Sequence, residues 1–174
     1  MHVPKTGLAL DTQPQPFAGY TVRDATSEDI PAMIRLERQS PEAAHWSEPQ
    51  YAAAFDEERG SHRLVLVVEH LKHADEKPQA MGFLVANYIG PDWELENVVV
   101  APETRGKGIG TRLMRELFER AKQANGVLVH LEVRESNQAA RALYEKLEFR
   151  ESGRRKSYYS NPFEDAVLFA RRLP

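Results

Sequence analysis

A β-branched run, ENVVV at 96–100, breaks into RGKGIG at 105–110 and then into TRLMRELFERA, whose apolar residues recur at helical spacing. Strand, bare turn and helix in immediate succession restrict the chain to layered folds in which a helix packs on a sheet. Three of the chain's ten glycines fall within the six turn residues, although glycine weakens strands and helices alike. Such a turn suits phosphate: N–H groups with no side chains in the way converge on an anion, aided by the helix dipole. Arg105, Lys107 and Arg112 add positive charge around it. The plainer alternative is an ordinary strand-to-helix turn. Two familiar phosphate motifs do not fit. The P-loop needs Gly-x-x-x-x-Gly-Lys-Ser/Thr, and the dinucleotide fingerprint needs Gly-x-Gly-x-x-Gly, whereas these glycines stand at 106, 108 and 110.

The rest of the chain extends the αβ pattern. TVRDA reads as a strand, and Thr26 with Asp29 forms a capping box ahead of Ile30, Met33 and Ile34 on one helical face. Ser47 and Gln50 offer a second box for a helix through Tyr51 and Phe55. RLVLVVEHL and AMGFLVANYI read as strands joined by the polar hairpin HLKHADEKPQ, and WELENVVV as another strand. Leu113, Met114, Leu117, Phe118 and Ala121 mark a helix, VLVHLEV a strand, and Ser136 a cap for a helix through Leu147. Two closing strands surround Arg150–Tyr159 and Ala166–Arg171. The mixture of hairpin and crossover connections predicts a mixed α/β fold, a mixed sheet covered by helices.

The length, 174 residues, is that of one domain with a proper core. The Pro/Gln/Thr content of residues 1–19 reads as a flexible leader, leaving 20–174 as the single domain. A net charge of -3 argues against nucleic-acid binding through bulk charge. With no cysteine, disulfides, zinc–thiolate sites and a cysteine nucleophile are excluded, which suits a reducing cytoplasm. No apolar run approaches the roughly 18 residues needed to span a membrane. His70 and His73 invite a metal, but no third ligand converges, so no metal is expected.

The motifs together carry a sharper signal. RGKGIG matches the Arg/Gln-x-x-Gly-x-Gly/Ala signature, ELENVVVAPE a central strand, and LEVRESNQAARALYEKLEF a Leu-Glu-Val-Arg-x-Ser-Asn…Leu-Tyr-x-x-x-Gly-Phe segment. In these segments the chain resembles the GNAT superfamily of N-acetyltransferases. HWSEPQY and RRKSYYSNPFEDAVLF resemble the substrate-side loop and the C-terminal pattern of its RimI-type members, which acetylate the N-terminal alanine of a ribosomal protein. The match runs from about Tyr20 to Leu173. It implies a central mixed, mostly antiparallel sheet flanked by helices, with splayed central strands holding acetyl-CoA. One departure is Glu148 where the family has glycine, which forces that turn to avoid a glycine-only conformation or to tolerate strain.

The resemblance also assigns residues. Arg105, Gly106, Lys107, Gly108, Ile109, Gly110 and Thr111 would hold the pyrophosphate, and Asn137 matches a CoA-contacting position whose plainer alternative is a first-turn polar residue. Val98, Val99 and Val100 would offer backbone groups to the pantetheine arm and an N–H to the thioester oxygen. Glu132 stands at the family's general-base position. Alternation sets it with His130 opposite Val127, Val129, Leu131 and Val133, and burying a carboxylate in so apolar a strand demands a task or a partner such as Arg134. Glu94 and Glu96, together on the preceding strand, are rival bases. Tyr144 lies in the stripe Ala140, Leu143, Tyr144, Leu147, where its ring can pack while its hydroxyl protonates the CoA thiolate.

The resemblance implies a primary amine as acceptor. A protein N-terminal α-amine, with a pKa near about 8, is roughly one-tenth free base at neutral pH, whereas lysine is below about one part in a thousand. That favours a protein N-terminus, with a small-molecule amine as runner-up and a non-catalytic acyl-CoA-binding regulator third. Either a monomer or a homodimer is compatible with the sequence.

Overall fold

Paired β-branched and aromatic segments build the sheet. The computed structural model describes residues 19–56, 62–71 and 77–174. Its strands are β1 (Tyr20–Asp24), β2 (Arg63–His70), β3 (Gln79–Tyr88), β4 (Trp93–Val100), β5 (Leu128–Arg134), β6 (Arg150–Ser160) and β7 (Phe163–Arg172). They lie in the order β1-β2-β3-β4-β5-β7-β6, antiparallel throughout except for the parallel pair β4 and β5. The helices are α1 (Ile30–Arg38), α2 (Glu48–Ala54), α3 (Ile109–Gln123) and α4 (Gln138–Lys146). This is the mixed, mostly antiparallel sheet with flanking helices that the motifs imply.

The core sits where α1 and α3 both pack against β3, so Val65–Val68 of β2 and Met81–Ala86 of β3 are buried without alternation. The stripe of α3 is buried as its periodicity predicts: Leu113, Met114, Leu117, Phe118 and Ala121, joined by Ile109. Leu117 is fully buried. Leu117→Ala is expected to cost about 2–5 kcal/mol, read as a lower urea midpoint at unchanged slope. At the far edge, β6 is exposed along almost its whole length and carries Arg150, Arg154, Arg155 and Lys156, charges that discourage a further strand from adding there.

Local details differ from the sequence reading at three points. Both capping boxes form, but the first closes a 3-10 turn over Ser27–Asp29 before α1 begins at Ile30. Ser136 does not cap α4. Its N–H is taken by Glu164 at 3.0 Å, and Asn137 caps instead, its Oδ1 accepting from the Ala140 N–H at 3.0 Å. Val127 is exposed and precedes β5 rather than sharing its buried face. Glu148 adopts a left-handed φ of 65°, so the turn keeps the conformation glycine favours and carries some strain. Residues 1–18 of the expected leader, and 72–76 of the expected hairpin with His73, lie outside the described residues. Among the described residues no helix is long and apolar enough to cross a membrane.

Candidate functional site

The parallel contact of β4 with β5 is brief. Trp93, Glu94 and Leu95 pair with Val129, His130 and Leu131, and beyond Leu95 the two strands no longer pair. At that point β4 also shifts register against β3, from Ala86↔Leu95 to Val85↔Asn97, with Glu96 as the extra residue of a bulge. The second half of β4 therefore borders a gap. The Ala101 N–H donates to the Met81 carbonyl of β3 at 2.8 Å. By the alternation of an antiparallel ladder, Val99 also faces β3, while the N–H and C=O of Val98 and Val100 point into the gap. The Val100 carbonyl accepts from Arg105 Nε at 3.3 Å, and because β5 no longer pairs with β4 beyond Leu95, the backbone groups of Val98 face no neighbouring strand.

Below the gap, a 3-10 turn over Pro102–Thr104 leads into the glycines. Gly106 and Gly108 have φ of 76° and 82°, left-handed values that a side chain opposes, and Gly108 is the N-cap of α3. No side chain caps α3, and the N–H groups of Ile109, Gly110 and Thr111 find no acceptor among the described residues. A Cβ on Gly106 would meet nothing within 4 Å, and one on Gly110 would lie 3.1 Å from Leu143 Cδ2 of α4. Uncapped N–H groups at the end of a 15-residue helix form a cradle for an anion. Ile109 is itself core, so it has only its backbone to offer. Arg105 is engaged, its Nη2 donating to Ser40 Oγ at 2.9 Å, whereas the Lys107 side chain is exposed.

Tyr144 is buried on α4, its ring 5.7 Å from that of Phe149 and 6.1 Å from that of Phe169. Its hydroxyl makes no hydrogen bond to a described residue and is not sealed from solvent, so the ring packs while its oxygen stays accessible. Burial first, and nearby Tyr159 second, push this phenol above its ordinary range, so it keeps its proton at neutral pH. Glu132 projects from the opposite face of β5 to Leu131 and Val133. It has a partner: Arg155 Nη2 lies 2.9 Å from Glu132 Oε1, with the Glu132 side chain 23% exposed. Arg134 is occupied elsewhere, bonding Glu164 at 2.7 Å and covering the Tyr159 ring at 4.0 Å. Of the rival carboxylates, Glu96 is held by Arg63 through both oxygens, at 2.6 and 2.9 Å. Glu94 lies beside His130 in the short parallel register. Among the described residues no group of three or more His, Asp or Glu could hold a metal, and His70 stacks on Tyr20.

Sequence reasoning missed two features. Arg155 could not be matched to Glu132 because their strands meet only through β7, which pairs Ala166 with both Arg134 and Arg155. Glu37 was overlooked, although a carboxyl at the next position of the stripe Ile30, Met33, Ile34 was a visible signal. It is buried beside Asn97 and Tyr51.

Over residues 30–149 the sequence matches the acetyltransferase (GNAT) family. The ribosomal protein bS18-alanine N-acetyltransferase of Salmonella typhimurium is 32% identical over 152 residues, covering 86% of this chain and 95% of that protein. The N-alpha-acetyltransferase RimI of Mycobacterium tuberculosis is 31% identical over 168 residues, 94% of this chain and 96% of that protein. The crystal structure of the ribosomal-protein-S18-alanine N-acetyltransferase from Escherichia coli aligns with a TM-score of 0.74 at 27% identity, covering 88% of this chain and 94% of that one. A likeness sustained across nearly the whole chain places it in the acetyltransferase (GNAT) family, as an acetyl-CoA-dependent N-acetyltransferase of the RimI type.

Proposed function

We propose that residues 20–174 form one catalytic domain that moves the acetyl group of acetyl-CoA to the α-amine of a protein N-terminus, an N-terminal alanine of a ribosomal protein being the acceptor its relatives' names point to. The Val98 backbone, facing the gap between β4 and β5 where the two strands no longer pair, carries this reading. The pantetheine arm lies along the edge at Val98 and Val100, and the pyrophosphate sits in the cradle of Gly106 to Thr111. Lys107 supplies charge there, and Arg105 fixes the turn through Val100 and Ser40. Asn137 has its Oδ1 committed to capping α4, which leaves its amide Nδ2 for the cofactor.

In the reaction, Glu132 takes a proton from the acceptor ammonium, directly or through a water. The freed amine attacks the thioester carbon, and the Val98 N–H faces the oxygen on which negative charge develops. As the C–S bond breaks, Tyr144 gives its phenolic proton to the departing thiolate, and the nitrogen of the new amide sheds its second proton to solvent. Solvent then reprotonates the Tyr144 phenolate while Glu132 releases the first proton. Arg155 must leave Glu132 for the amine to take its place, and an incoming ammonium supplies the compensating charge. The absence of cysteine suits action in a reducing cytoplasm.

Thiol release from acetyl-CoA tests the acceptor, with a basic peptide beginning in alanine, a polyamine and an N-blocked lysine peptide side by side. Turnover with the first alone is expected; preference for the polyamine would move the acceptor to small amines. Tyr144→Phe tests the acid. The ring still packs on Phe149 and Phe169, so thermal stability should hardly change. Turnover should fall by about 10- to 100-fold, at or below the usual range for a general acid because a thiolate with a pKa of about 8.5 already leaves readily.

A further inference from the structure

We propose that Glu37 is a positioning residue for acyl transfer, gripping Asn97 so that the unpaired half of β4 presents the Val98 backbone to the thioester. This rests on the reading that the open edge at Val98 and Val100 receives the acyl donor.

Glu37 is only 2% exposed. Its Oε1 accepts from Asn97 Nδ2 at 2.8 Å, and the Tyr51 hydroxyl lies close enough to its carboxyl group to be held protonated by it. Asn97 Nδ2 lies 3.4 Å from that hydroxyl. Burial, and then the Glu37 carboxyl group, push the Tyr51 phenol far above its ordinary range, so it remains a donor. Among the described residues no cation pairs with Glu37. A carboxyl group buried among neutral donors is a poor way to gain stability, and an apolar residue would suit this stripe position better. Its merit is geometric, since it accepts from Asn97 of β4, whose amide also reaches the Tyr51 hydroxyl of α2, and so ties α1 to both.

Asn97 stands where such a tie matters. It is the first residue after the Glu96 bulge, and the strand it begins has lost β5 as a neighbour. The bulge also changes which face the side chains take. Trp93 lies against Gly126, which follows α3, whereas Asn97 reaches α1 on the other face and Val100 returns toward Gly110 at the start of α3. A slip of one residue would set Val98 against the Glu37 carboxyl group and strand it without a donor. The other end of the open edge is held from the same helix. Ser40, just beyond α1, accepts from Arg105, which in turn holds the Val100 carbonyl. The end of α1 thus governs both limits of the segment from Asn97 to Val100.

The test compares native enzyme with Glu37→Gln, using amide hydrogen exchange with and without acetyl-CoA in the absence of acceptor, alongside kcat. In native enzyme, acetyl-CoA should slow exchange of the Val98 amide. In Glu37→Gln that slowing should shrink by roughly 10-fold or more while protection along α3 is kept, and kcat should fall by about 10- to 100-fold, the scale of a small misplacement. A merely structural role would loosen α3 and β4 together and leave the slowing at Val98 intact. Equal slowing at Val98 with native kcat overturns the inference and leaves the open-edge reading standing. No slowing at Val98 in native enzyme overturns that reading, and the inference with it. Tyr51→Phe removes the hydroxyl and keeps the Asn97 bond, so it should show the same changes at about threefold. If Glu37→Gln does not fold, native behaviour in Tyr51→Phe overturns the inference.

Discussion

Glu132→Gln is expected to lower kcat by roughly 10²–10⁴ while acetyl-CoA affinity is preserved, because glutamine keeps the shape and loses the basicity. The ion pair with Arg155 offers a rival account, in which Glu132 only neutralises a cation on β6. Arg155 is itself 53% exposed, so on that account the substitution would change stability by no more than about 1 kcal/mol and leave turnover alone. Arg155→Gln separates the two. With Glu132 as base, freeing it from Arg155 should leave kcat unchanged or raised; with a structural pair, both variants should behave alike. The residual rate of Glu132→Gln should climb with pH, since the acceptor amine then deprotonates without help. Native turnover of Glu132→Gln across about pH 6–9 would pass the role to Glu94. Glu96 is the poorer substitute because Arg63 occupies both of its oxygens.

Much of this arrangement was legible in the residues. The stripe of α3, the glycine turn and the strand before it are local patterns, and the structure joins them in the order the sequence gives them. Tyr144 was legible in the same way, since its place in the α4 stripe required packing whatever its hydroxyl does. What could not be read is set by contacts between distant segments. Glu132 and Arg155 are brought together by β7, and nothing local to either strand says that β7 lies between β5 and β6. Asn97 and Glu37 are 60 residues apart, and each sits at an otherwise apolar position whose reason appears only when the two are seen to meet. The cap of α4 shows the same limit on a smaller scale. Ser136 and Asn137 are both good caps, and Glu164, contributed by β7, decides between them by taking the Ser136 N–H.

Gly108→Val should lower the affinity for CoA by at least about 100-fold. The residue caps α3 at a φ of 82°, and a β-branched side chain there must leave the left-handed region or bear its strain. Either response re-aims the N–H groups of Ile109, Gly110 and Thr111. Hydrogen bonds to a charged group are worth about 1.5–3 kcal/mol each, so losing two removes at least about 3 kcal/mol, or two powers of ten in affinity. The cost to the fold should be smaller, about 1–2 kcal/mol for one residue in the wrong region. Calorimetry with free CoA measures the loss, and a thermal midpoint within several degrees of native shows that the fold survives. Acetylpantetheine as donor supplies the control, because it has the thioester but no pyrophosphate. Native and variant enzymes should use it equally poorly if the turn acts on the pyrophosphate alone. An unchanged affinity for CoA in the folded variant would leave the glycines as a strand-to-helix turn and nothing more. A loss with acetylpantetheine as large as with CoA would mean that the turn sets the position of β4 and not the grip on phosphate.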